Sequence, residues 1–400
     1  MTDIASLATQ IENIASKIEE SDKLSNDKAL QQRLLTASAK LNSVLDNPRE
    51  RIHAFVCQPM ENAAIRLAVD LDLFDIITRN EKPISAKELA AATGAEELLI
   101  VRIMRLACAL GFVGETDIET YSANAYTRTF TEPVSKAAAK FVFDDTSNVC
   151  IKIPEVVAKN GYKCPPYNSD ARNGVFQYAR QTNQFLWEWY QDHPRNRDNF
   201  HTYMSGSRRT RKTWLDFFPV KENILDGAVN QEEAVLMVDV AGGKGHDLEA
   251  FGEVFPDACG RLILQDLPDV IQQAGELQQG IEKMGYDFFT PQPVKGARVY
   301  YLHFILHDWP DMTARKILQQ LHAAMKPGYS KLLIDDFILP DRGCPLYPCV
   351  QDMCMMGLLG GLERSQRHWT ELLTSEGFEV TGIYSSGDEN EGILEAMVRL

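Results

Sequence analysis

The stretch AVLMVDVAGGKGHDLEAFGEVF, residues 234–255, decides the fold. Its first half is an apolar run interrupted only by Asp239, too short for a buried helix and rich in β-branched residues, so it reads as a strand covered on both faces. Three glycines follow within four residues, Gly242, Gly243 and Gly245, and then an amphipathic helix begins at His246. The same alternation recurs downstream. RLILQDLP (261–268), ARVYYLHFIL (297–306) and SKLLIDDFIL (330–339) read as further buried strands. Helices are expected over 269–284 and from Met312 to Met325. Apolar strands alternating with amphipathic helices imply an α/β domain with a doubly wound, mainly parallel sheet.

Glycines at the end of the first strand let the backbone turn sharply and approach a ligand, with the free N–H groups of the next helix directed at it. Asp239, Gly242 and Gly243 therefore form a candidate nucleoside cradle. The second strand ends in Gln265-Asp266, about twenty residues beyond the loop. An acid at that point suits the two ribose hydroxyls of an adenosine; a helix N-cap before Pro268 is the competing structural role. The spacing fits neither the dinucleotide fingerprint nor the P-loop, since no Ser or Thr follows a Gly-Lys pair. An adenosine ligand without a phosphate chain remains, and S-adenosylmethionine fits that description.

Upstream, residues 131–220 read as mainly helical, with a loop at 163–173 and dense aromatic content. Aromatics at such spacing are more often core than ligand wall, and Met204 is retained as a pocket candidate. Residues 58–130 read as three helices (Ala63–Ile77; one opened by Ser85 with Glu88 as capping-box partner; Ala95–Leu110) followed by strands at Phe112–Val113 and Thr120–Ser122. That is the order of a winged helix-turn-helix. The third helix offers only Arg102 and Arg105 on an otherwise apolar surface, unlike a helix that reads the major groove, so its face is expected to be buried in a dimer. Residues 1 to about 45 carry an apolar stripe at helical spacing (Ile4, Leu7, Ile11, Ile14, Ile18, then Leu30, Leu34, Leu35, Leu41, Leu45), which must pack on the body or on a partner chain. The division expected is 1–50 dimerising helices, 51–130 winged-helix dimerisation domain, 131–220 helical linker and substrate lining, and 221–400 cofactor-binding domain.

Composition narrows the function. Of 400 residues, 44 % are hydrophobic and 24 % charged, values of a globular protein rather than a disordered one. The net charge of −15 disfavours nucleic acid and anionic membranes as partners. No apolar run reaches the roughly 18–20 residues of a membrane span, and the N-terminus does not read as a signal peptide. The eight cysteines are scattered. Cys344, Cys349 and Cys354 match no zinc pattern, so no metal is expected, and reduced thiols in a cytoplasmic protein are.

Taken together, FQYARQTNQF, NFHTYM, VDVAGGKGH, LQDLPDVI, YYLHFILHDWPD, LLIDDFILPD and GGLERS, in this order and behind the winged-helix region from Pro59, resemble the plant- and fungal-type S-adenosylmethionine-dependent O-methyltransferases of class I. The paired N-terminal helices and the apolar winged module suggest a homodimer. The resemblance implies His307 as catalytic base, flanked by Asp336 and Glu363. Asp239, Gly242, Gly243 and Asp266 match the cofactor site, Asp287 and Phe288 the adenine frame, and His303 a basic position near the adenosine. Trp309 lies on the substrate side. Three positions depart from the family pattern: Ala241 stands for a first loop glycine, His303 for Lys or Arg, and Asp336 for Glu.

These residue types suit methyl transfer. A phenol, with a pKa of about 10, is a poor nucleophile while protonated. A histidine near 6.5 can take its proton at neutral pH, and a carboxylate on the other ring nitrogen fixes the tautomer. Methionines line irregular apolar pockets, although at helical spacing they are more often core. Met353 and Met356, in VQDMCMMGLL, are expected to wall a flat hydroxylated acceptor, aromatic or polyketide-like. The alternative is a relative that binds S-adenosylmethionine without transferring methyl, as a pericyclase or dehydratase.

Overall fold

The computed structural model describes residues 4–19, 28–167, 172–208, 213–278, 280–385 and 391–399. Its centre is the expected sheet. Five strands run parallel: β1 (Val235–Val240), β2 (Arg261–Asp266), β3 (Ile281–Gly285), β4 (Val299–His303) and β5 (Lys331–Leu339). Two more, β6 (Phe378–Ser385) and β7 (Glu391–Val398), close one side antiparallel. The order across the sheet is β6-β7-β5-β4-β1-β2-β3, so the chain reverses direction between β1 and β4. Ligands of doubly wound sheets bind at the carboxyl ends of the strands flanking such a reversal.

Alternation along the strands divides the core. Tyr300, Leu302, Leu332 and Ile334 face one layer with Leu318 and Trp369, whereas Val299, Tyr301 and Leu333 face the other with Trp214 and Phe251. Each such side chain contributes about 1.5–3 kcal/mol by leaving water. The same period of two sends the consecutive acids Asp335 and Asp336 to opposite faces of the sheet. Both are fully buried.

Several boundaries differ from expectation. The span 269–284 is not one helix: a short helix, Pro268–Gln273, is followed by β3, whose IEKMG side chains are mostly half-exposed or exposed because the strand lies at the sheet's edge. An exposed edge strand carries no apolar run, so the pattern could not announce it. The helix expected over Ala63–Ile77 is two, Pro48–Asp70 and Leu73–Arg79, broken at Asp72, which has a φ of 49°. The wing forms at Gly114–Asp117 rather than Phe112–Val113, paired with Thr120–Ser122. The capping box is present: Ser85 Oγ accepts from the Glu88 N–H, and the Ser85 N–H donates to the Glu88 carboxylate at 2.8 Å.

The third helix, Glu97–Ala109, corrects the dimer expectation in part. Ile100, Val101, Ile103, Met104 and Ala107 fill the module's own core and leave only Leu98 and Leu99 as its exposed large apolar side chains. The larger exposed apolar surface lies elsewhere. The helices Ile4–Glu19 and Lys28–Leu45 expose Ile4, Leu7, Ile11, Ile14, Leu30, Leu35 and Leu41, and Pro48–Asp70 exposes Ile52, Phe55, Val56 and Met60. Among the described residues, no helix is long and apolar enough to cross a membrane.

Candidate active site

At the end of β1 the turn doubles back because Ala241, Gly243 and Gly245 all take left-handed φ, at 63°, 61° and 83°. Ala241 holds that conformation in spite of its Cβ. Gly242 has no room for one: an added Cβ would collide with the Asp239 carboxylate and Leu264, whereas at Gly243 it would meet open space. The turn is closed by the Gly243 N–H, which donates to Asp266 Oδ2 at 2.9 Å, and by the Leu267 N–H, which donates to Oδ1 at 2.7 Å. Burial raises the Asp266 pKa against these two bonds. Beneath it, Gln265 and Gln292 exchange reciprocal amide bonds at 2.9 and 2.8 Å, a buried pair that fixes the floor of the loop.

His307 sits in a single 3₁₀ turn, Leu306–Asp308, just past β4. Its Nδ1–H donates to Glu363 Oε1 at 2.9 Å, and Asp336 Oδ1 stands 3.6 Å from the same nitrogen. The second distance is beyond a hydrogen bond; Asp336 acts on the ring through its charge. The other nitrogen, Nε2, lies 3.4 Å from Asp308 Oδ1. Burial alone would push the imidazole pKa down, but Asp336, Glu363 and Asp308 together overcome it and raise it to about 10. Burial in turn lifts Asp336 to about 7 and Asp308 to about 6, against the pull of the imidazolium.

Two devices hold this cluster. Arg364 is fully buried and braces the turn, with Nη1 donating to Leu306 O at 2.8 Å, Nη2 to Trp309 O at 2.7 Å and Nε to Asp311 at 3.0 Å. Gly361 passes so close to the His307–Asp308 backbone that a Cβ would overlap it, and the neighbouring Leu362 N–H donates to His307 O at 2.9 Å. Glycine is required there by contact, not by flexibility. A carboxylate brought to the histidine from a distant segment thus arrives along a backbone track.

Residues 171–379 match the O-methyltransferase domain family, and residues 54–133 the O-methyltransferase dimerisation domain. The chain is 39 % identical over 374 residues to the O-methyltransferase penC of Penicillium thymicola, covering 93 % of this chain and 92 % of that one. The chain belongs to the O-methyltransferase family. Two solved structures superpose on 99 % of it and 100 % of their own chains at 30 % identity: LepI in complex with SAM, at a TM-score of 0.84, and a structure described as a pericyclic reaction enzyme, at 0.83.

An O-methyltransferase of this family uses S-adenosylmethionine, and the turn after β1 fits its nucleoside. The cradle is closed behind Gly242, open at Gly243, and faced by the half-buried carboxylate of Asp266. Asp287 and Phe288 follow β3, and the Phe288 ring lies 6.1 Å from that of Trp309, so the segment expected to frame adenine adjoins the tryptophan expected on the acceptor side. His303 ends β4 and its Nδ1 pairs with Asp247 Oδ2 at 2.9 Å, joining that strand to the first turn of the helix after the glycines. We expect Gly242→Ala to raise the Kd for S-adenosylhomocysteine by ten-fold or more, because the Asp239 side chain must move; isothermal calorimetry with an unchanged value would refute the cradle.

The methionines are less concentrated than expected. Met204 and Met356 are partly buried and pack against an aromatic cluster of Phe141, Phe176, Trp189 and Tyr190, a position that a core and a pocket wall share. Met353, in the helix Leu346–Leu358, is 45 % exposed. Three residues at the site carried no reading in the sequence. Asp308 was adjacent to the histidine and could have been weighed as a second carboxylate. Arg364 lay inside GGLERS, where a lone arginine among apolar neighbours was the available signal. Phe304 had none: it holds a φ of 52°, unusual for a bulky residue, with its ring 4.7 Å from His303 and 5.2 Å from His307. The donor atoms of His303, Asp335 and Glu391, like those of His307, Asp336 and Glu363, lie within 4.8 Å of one another, a spacing an ion could bridge. In the His307 group the Nδ1–H already occupies Glu363.

Proposed function

We propose that this enzyme methylates a phenolic hydroxyl of a small aromatic or polyketide-like secondary metabolite, with His307 as general base, Glu363 and Asp336 as its flanking acids, and Asp239, Gly242, Gly243, Asp266, Asp287, Phe288 and His303 around the cofactor. One observation carries the reading: Glu363 holds Nδ1, which leaves Nε2 as the nitrogen that can accept a proton. The bound cofactor supplies an electrophilic methyl on a positively charged sulfonium. The chain must then orient the hydroxyl, take its proton at Nε2 and share the resulting imidazolium charge among three carboxylates. Asp308, at 3.4 Å from Nε2, meets the same hydroxyl and helps to orient it. Trp309, flanked by Phe185 and Phe289 at 6.0 and 5.1 Å, offers a flat apolar wall, and Met204, Met353 and Met356 supply the remaining lining. General-base assistance of this kind is worth about 10²–10⁴ in rate, and holding the reactants in line can add about 7–11 kcal/mol.

The test is purified enzyme with a panel of phenols and isotopically labelled cofactor, followed by mass spectrometry. A product carrying the label, with S-adenosylhomocysteine released in equal amount, is expected. The likeness to a structure described as a pericyclic reaction enzyme supports a second reading, in which the charge of the cofactor assists a pericyclic or dehydration step. Isomerised or dehydrated product without label would establish that reading and sink the first.

The match to a dimerisation domain and the exposed apolar side chains of the first three helices support a homodimer built by residues 1–50 and 51–130, with 131–220 lining the acceptor side and 221–400 carrying the cofactor. Sedimentation velocity should give twice the chain mass, and a monomer at micromolar concentration would contradict the assignment. The eight free cysteines accord with a cytoplasmic location.

A further inference from the structure

Two helices that touch near the acceptor side each carry a cysteine. Cys150 ends the short helix Asn148–Cys150, and Cys354 lies within Leu346–Leu358. The helices pack against each other, and the two thiols are neighbours. The Cys150 sulfur is seated in a notch on the longer helix. It lies 3.7 Å from the carbonyl oxygen of Met353 and 2.9 Å from the point where a Cβ on Gly357 would be. Residue 357 is thus kept free of a side chain where the sulfur rests, with Cys354 beside it one turn back.

We propose that Cys150 and Cys354 form a redox modification site, oxidised by a small disulfide such as oxidised glutathione to an intramolecular disulfide that slows methyl transfer. The direction of attack follows from how the two sulfurs are held. The Cys150 thiol donates to the Met353 carbonyl and so keeps its proton, while its closeness lowers the Cys354 pKa against burial and the charge of Glu363. A favoured thiolate with a neighbouring resolving thiol is the arrangement that exchange requires. The Cys354 thiolate attacks one sulfur of the small disulfide and expels a glutathione thiolate. Cys150 then gives up its proton and attacks Cys354 Sγ, expelling the second. Two protein thiols lose two hydrogens between them, and one disulfide becomes two thiols.

The bond would be felt at the active site. A disulfide of about 2.0 Å is much shorter than a contact between two thiols, so the two helices must close on each other. The helix Leu346–Leu358 also carries Asp352, whose Oδ1 accepts from the Glu363 N–H at 2.9 Å, and Met355, whose carbonyl accepts from the Gly361 N–H at 3.2 Å. Both contacts set where Glu363 stands. This second half of the inference rests on Glu363 flanking the proposed base; the cross-link itself does not.

The experiment incubates the full-length enzyme in glutathione buffers of rising oxidised fraction, blocks residual thiols by alkylation, and maps peptides by mass spectrometry. A peptide pair joined through Cys150 and Cys354 is expected, together with a several-fold loss of turnover that dithiothreitol restores. Cys150→Ser should keep wild-type turnover when reduced, stop at a glutathione adduct on Cys354, and form no such pair. Cys344 and Cys349, a second pair of neighbouring thiols, are the internal comparison. A link only between those two, or adducts spread evenly over the accessible cysteines, would overturn the site. A Cys150–Cys354 link with unchanged turnover would overturn its control of Glu363.

Discussion

His307→Ala is expected to lower kcat by about 10²–10⁴ at neutral pH while leaving the Kd for S-adenosylhomocysteine within two-fold of wild type. The split follows from placement. In the proposed arrangement the imidazole closes the acceptor side, whereas the nucleoside cradle is built from β1, β2 and their loops, which the substitution does not touch. A phenol has to lose its proton before or during transfer, and nothing else at Nε2 can take it: Asp308 is a weaker base even when raised to about 6. The pH profile gives an independent check. In the ligand-free chain the carboxylates hold the imidazolium up to about 10, and only the neutral ring is a base. The acceptor kcat/KM should therefore rise with pH through an acid limb, placed below about 10 at saturating cofactor because a sulfonium opposes the imidazolium. Glu363→Gln removes one of the charges that raise this pKa, so its limb should move to lower pH even as its maximum rate falls. A His307→Ala enzyme that keeps wild-type turnover, or a limb that stays in place in Glu363→Gln, would show that another group handles the proton.

The sheet was legible because its strands are buried on both faces and write their apolar runs into the sequence. β1, β2, β4 and β5 stand within a few residues of where the pattern put them. β3, at the edge, carries no such run, and β6 was not marked by a run in the reading of the last thirty residues. The site was legible only where motifs lie in one segment. HDW placed His307, but that Glu363 rather than Asp336 makes the hydrogen bond depends on how the Gly360-Gly361 segment runs past the His307 backbone, a contact across more than fifty residues of chain. One missing methylene at Asp336 is consistent with its standing off at 3.6 Å. Side-chain lining was the least legible. Methionines at helical spacing satisfy a core and a pocket equally well, and only the exposure of Met353 and the aromatic neighbours of Met356 distinguish them.

The second large effect is expected from a single methyl group added to the backbone at residue 361. Gly361→Ala should cut kcat by about 10²-fold, the cost of misplacing a catalytic group by roughly 1 Å, with the fold retained. The added Cβ would overlap the carbonyl of His307 and the backbone of Asp308, and backbone cannot swing aside as a long side chain can. Either the His307 turn moves, against the three donors of Arg364 that clamp it, or the 360–363 segment retreats and takes Glu363 with it. In both cases the 2.9 Å bond to Nδ1 lengthens, the tautomer is no longer fixed, and the acid that stabilises the imidazolium withdraws. Cofactor affinity should be unchanged, since the glycine turn after β1 lies on other strands. Circular dichroism and thermal melting would separate this from unfolding, and Gly343→Ala offers a control, because that loop glycine has open space where its Cβ would stand, although its φ of 72° costs some stability. Wild-type kcat in a well-folded Gly361→Ala enzyme would mean that the close passage of the two backbones does not govern the position of Glu363.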